Sequence, residues 1–330
     1  MTNTMRALIG GVAADWEPRD VAVPTPAPGQ ILVRVHAAGI NRADLYMLEG
    51  SYNPNSRTGN VYTAGFEFAG QVAAVGDGVM GPAVGDQVMG VTLGAFAPYA
   101  IVDHRHVVPM PPSLDWTGAA ALPVALATEH DALITQGGFT AGQSVLVVGA
   151  TSAIGLLAVQ LAKAFGASQV IGTTSSAGKA DAVKAAGADL VVNTATEDLA
   201  AAVGGATAGA GVDVVLDHVG GRLFADTFRA ARIGGTIVNI GRLAGAESTI
   251  DLNDLAFRRL RVLGTTFSVR TPDELADVCA ALVPDVVPAV ADGRIRPVVD
   301  RVFPLDDAPA AIAYMRSYQA VGKVVFEVTA

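Results

Sequence analysis

The chain reads as an α/β protein with a doubly wound parallel sheet, joined to a second module of strands and loops. Three observations predict this. Residues 144–163 form a strand, glycine turn and helix in direct succession; the same unit recurs through residues 169–240; and the first 120 residues carry a different, proline- and glycine-punctuated strand pattern.

The first unit reads Ser144-Val-Leu-Val-Val-Gly149-Ala-Thr-Ser-Ala-Ile-Gly155-Leu-Leu-Ala-Val-Gln-Leu-Ala-Lys163. A helix starting after such a turn aims its unpaired N–H groups and positive dipole end above the strand, a place that suits a pyrophosphate and hence a dinucleotide. The spacing departs from the G-x-G-x-x-G fingerprint in having Ala153 at the middle position. Gly149 and Gly155 would equally serve a tight turn and close helix packing, so the motif takes its weight from context.

The context is repetition. Strands are expected at Gln169–Thr173, Leu190–Asn193, Val212–Asp217 and Thr236–Ile240, and helices at Lys179–Ala186, Glu197–Val203 and Arg222–Ala231. This alternation predicts a parallel sheet covered on both faces, with Asp217, Ile240 and Gly241 on its carboxyl edge. The Ala/Gly-rich stretch 200–211 reads as helix and surface loop. Before this region, strands are expected at Arg6–Gly10, Gln30–Ala37, Phe68–Val75, Gln87–Val91 and Ala97–Val102, an all-β, loop-rich module. The tail from Arg296 ends in strands, including Gly322-Lys323-Val-Val-Phe-Glu-Val328, and is placed back on that module. The expected domains are therefore residues 1–124 with 268–330, and residues 125–267 between them.

Composition narrows the function classes. The chain has 330 residues and is 51% apolar, with a mean hydropathy of +0.42. Its most apolar window, Val145–Ala162, is broken by Gly149, Thr151, Ser152 and Gly155, so it reads as strand plus helix and no membrane span is expected. The first residues lack a charged start followed by an apolar core, so no secretory signal is expected and the cytoplasm is the default. A net charge of -9 and a pI near 5.0 argue against nucleic acid as a partner. The single cysteine, Cys279, excludes an intrachain disulfide and fits a reducing compartment.

Six motifs in order along nearly the whole chain carry a resemblance. They are Gly39-Ile-Asn41-Arg42-Ala-Asp44, Gly65-Phe66-Glu67-Phe-Ala-Gly70, Ala83-Val-Gly85-Asp86-Gln-Val88, Gly149 to Gly155, Asp217-His-Val-Gly-Gly221 and Gly322-Lys323-Val-Val. Together they resemble the medium-chain dehydrogenase/reductase superfamily, and within it the zinc-independent quinone oxidoreductases of zeta-crystallin type. The resemblance implies a GroES-like β domain, a Rossmann domain, an active site in the cleft between them, and a homodimer. It also carries cofactor contact onto Asn41, Thr128, Gly149, Ala150, Thr151, Ser152, Ala153, Ile154, Thr174, Ser175, Lys179, Ile240, Gly241, Phe267 and Val269. Asn41 and Thr128 match positions at the nicotinamide or its ribose, although either residue type also caps helices and ties turns.

Where zinc-dependent relatives take cysteine, histidine and cysteine as metal ligands, this chain has Asn41, Phe66 and Val124. One cysteine cannot build a structural zinc site either, so no metal is expected. Glu67 and Asp44 survive from the zinc pattern, and Glu67 is read as structural. Without a Lewis acid to carry alkoxide charge, simple alcohols are poor substrates; quinones and α,β-unsaturated carbonyls delocalise the charge, and hydrogen-bond donors suffice. Tyr46, at the place of a proton-relay histidine in the zinc relatives, is the first candidate donor. Tyr52, in the loop Gly50-Ser-Tyr52-Asn-Pro54, is the second, and both could instead be aromatics packed with a wet hydroxyl.

His36, His104, His106, His130 and His218 are scattered, with His104 and His106 spaced as on one strand face and no third ligand nearby. His130, two residues past Thr128, could touch substrate; His218 reads as a lining or structural residue. At the end of the second parallel strand, Gly172-Thr-Thr-Ser-Ser-Ala-Gly-Lys179 holds no carboxylate to repel a 2′-phosphate. Thr173, Thr174, Ser175 and Ser176 offer hydroxyls, and Lys179 matches a phosphate-binding lysine of the family, which predicts NADPH. Three functions follow: an NADPH-dependent quinone or enone reductase, a metal-independent alcohol dehydrogenase or ketone reductase, or a non-catalytic NADPH-binding protein with a protein or RNA partner.

Overall fold

The computed structural model describes residues 4–52 and 60–329, so Asn53 and Pro54 of the Tyr52 loop lie outside the described residues. The chain divides into two compact units. One comprises Met1–Ala127, Ser268–Gly293 and Pro297–Ala330; the other comprises Thr128–Phe267 and Arg294–Arg296.

The first unit carries β1 (Thr4–Gly10), β2 (Glu17–Ala22), β3 (Gln30–Ile40), β4 (Tyr62–Thr63), β5 (Glu67–Val75), β6 (Gln87–Val91), β7 (Tyr99–Asp103) and β8 (Val107–Pro109). The long strand β3 pairs antiparallel with β5 and with β7, and its last four residues, Ala37–Ile40, pair with a strand from the far end of the chain. Its inward residues Ile31, Val33, Val35, Ala38 and Ile40 join Phe68, Phe96 and Phe326 in one core. Phe96 packs edge-on against Trp16 and Phe326, with ring centroids 5.0 Å apart in both pairs; such contacts add about 0.5–1.5 kcal/mol each beyond area burial.

The second unit is a six-stranded sheet of β9 (Ser144–Val148), β10 (Gln169–Thr174), β11 (Leu190–Asn193), β12 (Val212–Asp217), β13 (Ala231–Asn239) and β14 (Arg261–Gly264), all parallel. Its order is β11-β10-β9-β12-β13-β14. Chain order thus reverses beside β9, between β10 and β12, and in such sheets ligands bind outside the carboxyl ends at that reversal. The fold is therefore α/β with a GroES-like β module and a Rossmann sheet. The first unit resumes with β15 (Val299–Pro304) and β16 (Lys323–Glu327), the strand that pairs with the end of β3.

Several local expectations need correction. The first module is not all-β, since it holds α1 (Arg42–Leu48) and α2 (Trp116–Ala120), and α3 (Pro123–His130) follows. His104 and His106 do not share a strand face. They lie in a 3₁₀ turn, where Asp103 caps by accepting from the Arg105 N–H, and each ring donates to a main-chain carbonyl, Gly29 and Pro272 respectively. The strand expected from Ala97 starts at Tyr99, after Pro98, which has no N–H to give a ladder. The tail holds a helix, Ala308–Arg316, between its two strands. Strands β2 and β14 escaped notice because they are mostly exposed edge strands without apolar alternation.

Candidate functional site

The turn after β9 has the form of a phosphate cradle. Gly149 has φ +83°, which a side chain would strain, and its N–H donates to the Thr173 hydroxyl at 2.9 Å. The Ala150 N–H reaches the Thr173 carbonyl at 3.0 Å. The helix α4 (Ala153–Ala164) follows, and its cap Ser152 accepts from the Gly155 N–H at 3.1 Å while its hydroxyl donates to the Gly149 carbonyl at 2.9 Å. A Cβ on Gly155 would lie 2.4 Å from the Gly149 oxygen, so only glycine lets the helix approach the turn this closely. The N–H groups of Ala153 and Ile154 belong to the first helical turn and find no carbonyl one turn earlier. Thr151, Ser152, Ala153 and Ile154 are half-buried and Ala150 is buried. The arrangement fits a dinucleotide pyrophosphate: small residues, open N–H groups and a helix dipole.

Around the end of β10 the hydroxyls divide. Thr173 and Thr174 are buried, with Thr173 bracing Gly149 as above. The Thr174 hydroxyl donates to the Ser176 carbonyl at 2.9 Å and accepts from its N–H at 3.0 Å, closing a local turn. Ser175 and Ser176 are exposed and Lys179 is half-buried at the start of the next helix. Beyond β13, the N–H groups of Ile240 and Gly241 both donate to the Asp217 carbonyl, at 2.7 and 3.1 Å. The Asp217 carboxylate takes the Val219 and Gly220 N–H groups and the Asn239 amide, which makes it a turn holder. Phe267 is half-buried; Val269, in the other unit, is 58% exposed. Thr128 is buried at the end of α3. His130 is 2% exposed with its ring edge-on to Phe165, a core packing position rather than a substrate contact. Sequence reasoning passed over Glu129, which is fully buried and meets His218; the signal was an acidic residue soon after the apolar run Pro123–Ala127.

The three positions matched to zinc ligands gather around Glu67. Asn41 donates from Nδ2 to Glu67 Oε1 at 2.8 Å, the Val124 N–H donates to Glu67 Oε2 at 2.8 Å, and Phe66 is the preceding residue. Lys323 completes the group: its ammonium donates to Asn41 Oδ1 at 2.6 Å and forms an ion pair with Glu67 Oε1. Glu67 and Lys323 are 0% and 3% exposed. A Cβ on Gly39 would stand 2.5 Å from Glu67 Oε1, so the motif glycine makes room for the carboxylate. An amide, an aromatic ring and an aliphatic residue do not fit a zinc ion, and the one carboxylate there is already bound to an ammonium. Among the described residues no three His, Cys, Asp or Glu side chains group to hold a metal.

Asn41 is also the cap of α1, and its N–H donates to Asp44 Oδ2 at 2.7 Å. Tyr46 lies half-buried on α1, and its carbonyl accepts from the N–H groups of Ser51 and Tyr52. The Tyr52 ring packs on Phe66 with centroids 5.0 Å apart. Burial, with the nearby Asp44, pushes the Tyr52 phenol up to about 12, so it holds its proton at neutral pH. Burial likewise pushes Asp44 up to about 8, against the hydrogen bond from Asn41 and helped by Glu67. An acid raised above its unfolded value favours folding most at low pH and loses that contribution as pH rises through the folded value. Asp44→Asn cannot ionise, so the stability of wild type relative to this variant should fall between about pH 4 and pH 8, measured by chemical denaturation; a difference independent of pH contradicts the assignment.

Comparison with known proteins agrees with this geometry. Residues 27–112 match the alcohol dehydrogenase GroES-like domain and residues 153–283 the zinc-binding dehydrogenase family, whose name refers to a metal that the residues above do not suit. Quinone oxidoreductase-like protein 2 of Bos taurus is 30% identical over 92% of this chain and 86% of its own length. The spectinabilin polyketide synthase system protein NorB of Streptomyces orinoci is 35% identical over 91% of the chain, which spans 13% of that much longer protein. Among solved structures, a quinone oxidoreductase of Pseudomonas syringae superposes with a TM-score of 0.85 at 28% identity, covering 98% of this chain and 99% of that one. A mycobacterial protein solved with NADPH superposes at 0.83 and 28% identity, again covering 98% and 99%. With its cradle, its sheet order and its GroES-like module, the chain belongs to the medium-chain dehydrogenase/reductase superfamily, among the relatives of its quinone oxidoreductases.

Proposed function

We propose that this oxidoreductase uses NADPH to reduce quinones or α,β-unsaturated carbonyls without zinc. The observation that carries the reading is the Asn41–Glu67–Lys323 group, in which the positions matched to metal ligands serve a charge-balanced ion pair. When bound, NADPH supplies the hydride. The protein's own residues bind and orient: the turn Gly149–Gly155 takes the pyrophosphate, Asn41 and Thr128 take the nicotinamide or its ribose, Ile240, Gly241, Phe267 and Val269 make further contacts to the cofactor, and Ser175 and Lys179 take the 2′-phosphate beside Thr174. Tyr46, with Tyr52 as second candidate, donates a hydrogen bond to the oxygen on which charge develops. The protein works as a cytoplasmic homodimer; exposed Ile233 and Phe257, in a hollow of the second unit also lined by Arg232, Asn253, Asp254 and Arg258, offer a mixed apolar and charged surface to a partner copy.

Turnover with NADPH and a quinone, an enone and a simple alcohol tests the reading. Reduction of a conjugated acceptor is expected, falling roughly tenfold to a hundredfold in kcat for Tyr46→Phe with NADPH affinity kept. Oxidation of simple alcohols with no activity on conjugated acceptors favours the metal-independent alcohol dehydrogenase instead, and tight NADPH binding without turnover favours a binding protein. Lys179→Ala should weaken NADPH by on the order of tenfold and leave NADH nearly unchanged, since the charge-assisted bond to phosphate has no counterpart in NADH. Equal loss for both cofactors in a binding titration contradicts the 2′-phosphate role.

A further inference from the structure

His218 follows the last residue of β12, and both of its ring nitrogens are engaged. Nδ1 lies 2.8 Å from the carbonyl oxygen of Val148, the residue before Gly149. A carbonyl only accepts, so Nδ1 carries a hydrogen. Nε2 lies 2.8 Å from Glu129 Oε1. On a neutral ring protonated at Nδ1, Nε2 is a bare lone pair, and a carboxylate oxygen is another; a contact this short needs a proton between them. That proton belongs to the pair, as imidazolium facing carboxylate or imidazole facing carboxylic acid, with zero net charge either way.

The surroundings resist any other count of protons. His218 and Glu129 are 2% and 0% exposed. Removing the shared proton leaves a buried bare carboxylate against a lone pair, and adding a second leaves a buried uncompensated cation. Glu129 Oε2 has no hydrogen-bond partner among the described residues, so His218 is where the carboxyl group's charge is met. Of the other titratable groups here, Asp217 on β12 is held by Val219, Gly220 and Asn239. His130 on α3 packs on Phe165, and Asp131 in the following turn accepts from the Thr265 hydroxyl at 3.0 Å. The residue from β9 is the uncharged Val148. Burial opposes the charged ring, but the Glu129 carboxylate, with the Val148 carbonyl and Asp217, outweighs it and holds His218 above the ordinary histidine value.

We propose that Glu129 and His218 form a positioning pair that shares one proton across the working pH range and holds the cofactor edge of the parallel sheet in register. The pair joins α3, which carries Thr128, to the end of β9 and the end of β12. A Cβ on Gly149 would lie 3.5 Å from His218 Cβ, and one on Gly241 would lie 2.4 Å from the His218 carbonyl oxygen. His218 thus crowds the backbone at Gly241 and, through its ring and its main-chain N–H on the Val148 carbonyl, holds the residue before Gly149. A shift of His218 therefore disturbs the backbone at both glycines against which the cofactor is proposed to lie. The positioning role rests on the reading of this edge as the dinucleotide seat; the shared proton does not.

The test combines ring ¹⁵N NMR of His218 with NADPH and NADH titrations of the full chain, in wild type, Glu129→Gln and Glu129→Leu. The wild-type ring signal is expected to stay flat between about pH 5.5 and pH 9, whereas a midpoint near the ordinary value of about 6.5 overturns the shared proton. Glu129→Leu, which leaves Nε2 without its partner, should weaken NADPH by about tenfold. Glu129→Gln, whose amide can donate to a neutral Nε2, should restore affinity to within about threefold. Unchanged binding in Glu129→Leu, or equal loss in both variants, overturns the positioning role. If wild type binds neither dinucleotide, the cofactor reading and the positioning role both fall, and a flat wild-type signal still upholds the shared proton.

Discussion

The buried ion pair between Lys323 and Glu67 is the constraint on which the rest of the GroES-like module's site depends. Two buried charges are stable only when geometry and hydrogen bonds offset their lost hydration, and here every part of the arrangement serves that end. Gly39 leaves room for the carboxylate, the Val124 N–H takes its second oxygen, and Asn41 offers its amide to the carboxylate and its carbonyl to the ammonium. The partners come from distant parts of the chain. Lys323 opens β16, and the register of β16 on β3, with Val324 opposite Ile40, brings it to Asn41 across 282 residues of sequence. The ladder that closes the sheet thus also delivers the charge that Glu67 needs.

The consequence for chemistry follows from occupancy by side chains. Asn41, committed on one face to Glu67 and Lys323, is held as the cap of α1, the helix that carries Tyr46. Asp44 and Tyr52 feel the same buried environment, and both keep their protons to higher pH than usual. A site organised this way offers hydrogen-bond donors where zinc-dependent relatives place metal ligands, which fits the proposed reduction of acceptors that spread their charge.

Much of this was legible in the sequence where local physics dominates. The turn Gly149–Gly155 announced itself because a positive φ and a 2.4 Å approach both demand glycine, and Ser152 is a strong cap. The parallel strands showed as apolar runs because both faces of the sheet are covered. What the sequence hid were partnerships set by tertiary register. Glu67 reads as structural from sequence, yet nothing near it in the chain points to Lys323 as its partner. Glu129 and His218 stand 89 residues apart and meet only when α3 packs at the carboxyl edge. Thr173 and Thr174 read as free hydroxyls because the turn that uses them forms only in three dimensions. The exposed strands β2 and β14 lacked the apolar signal because edges need less burial.

The most direct test of the central claim is equilibrium denaturation of wild type, Lys323→Met, and the double variant Glu67→Gln with Lys323→Met. Removing the ammonium alone strands a buried carboxylate and should cost about 3–5 kcal/mol, and neutralising Glu67 as well should recover part of that loss. A single variant within about 1 kcal/mol of wild type, or a double variant no more stable than the single, would contradict the account.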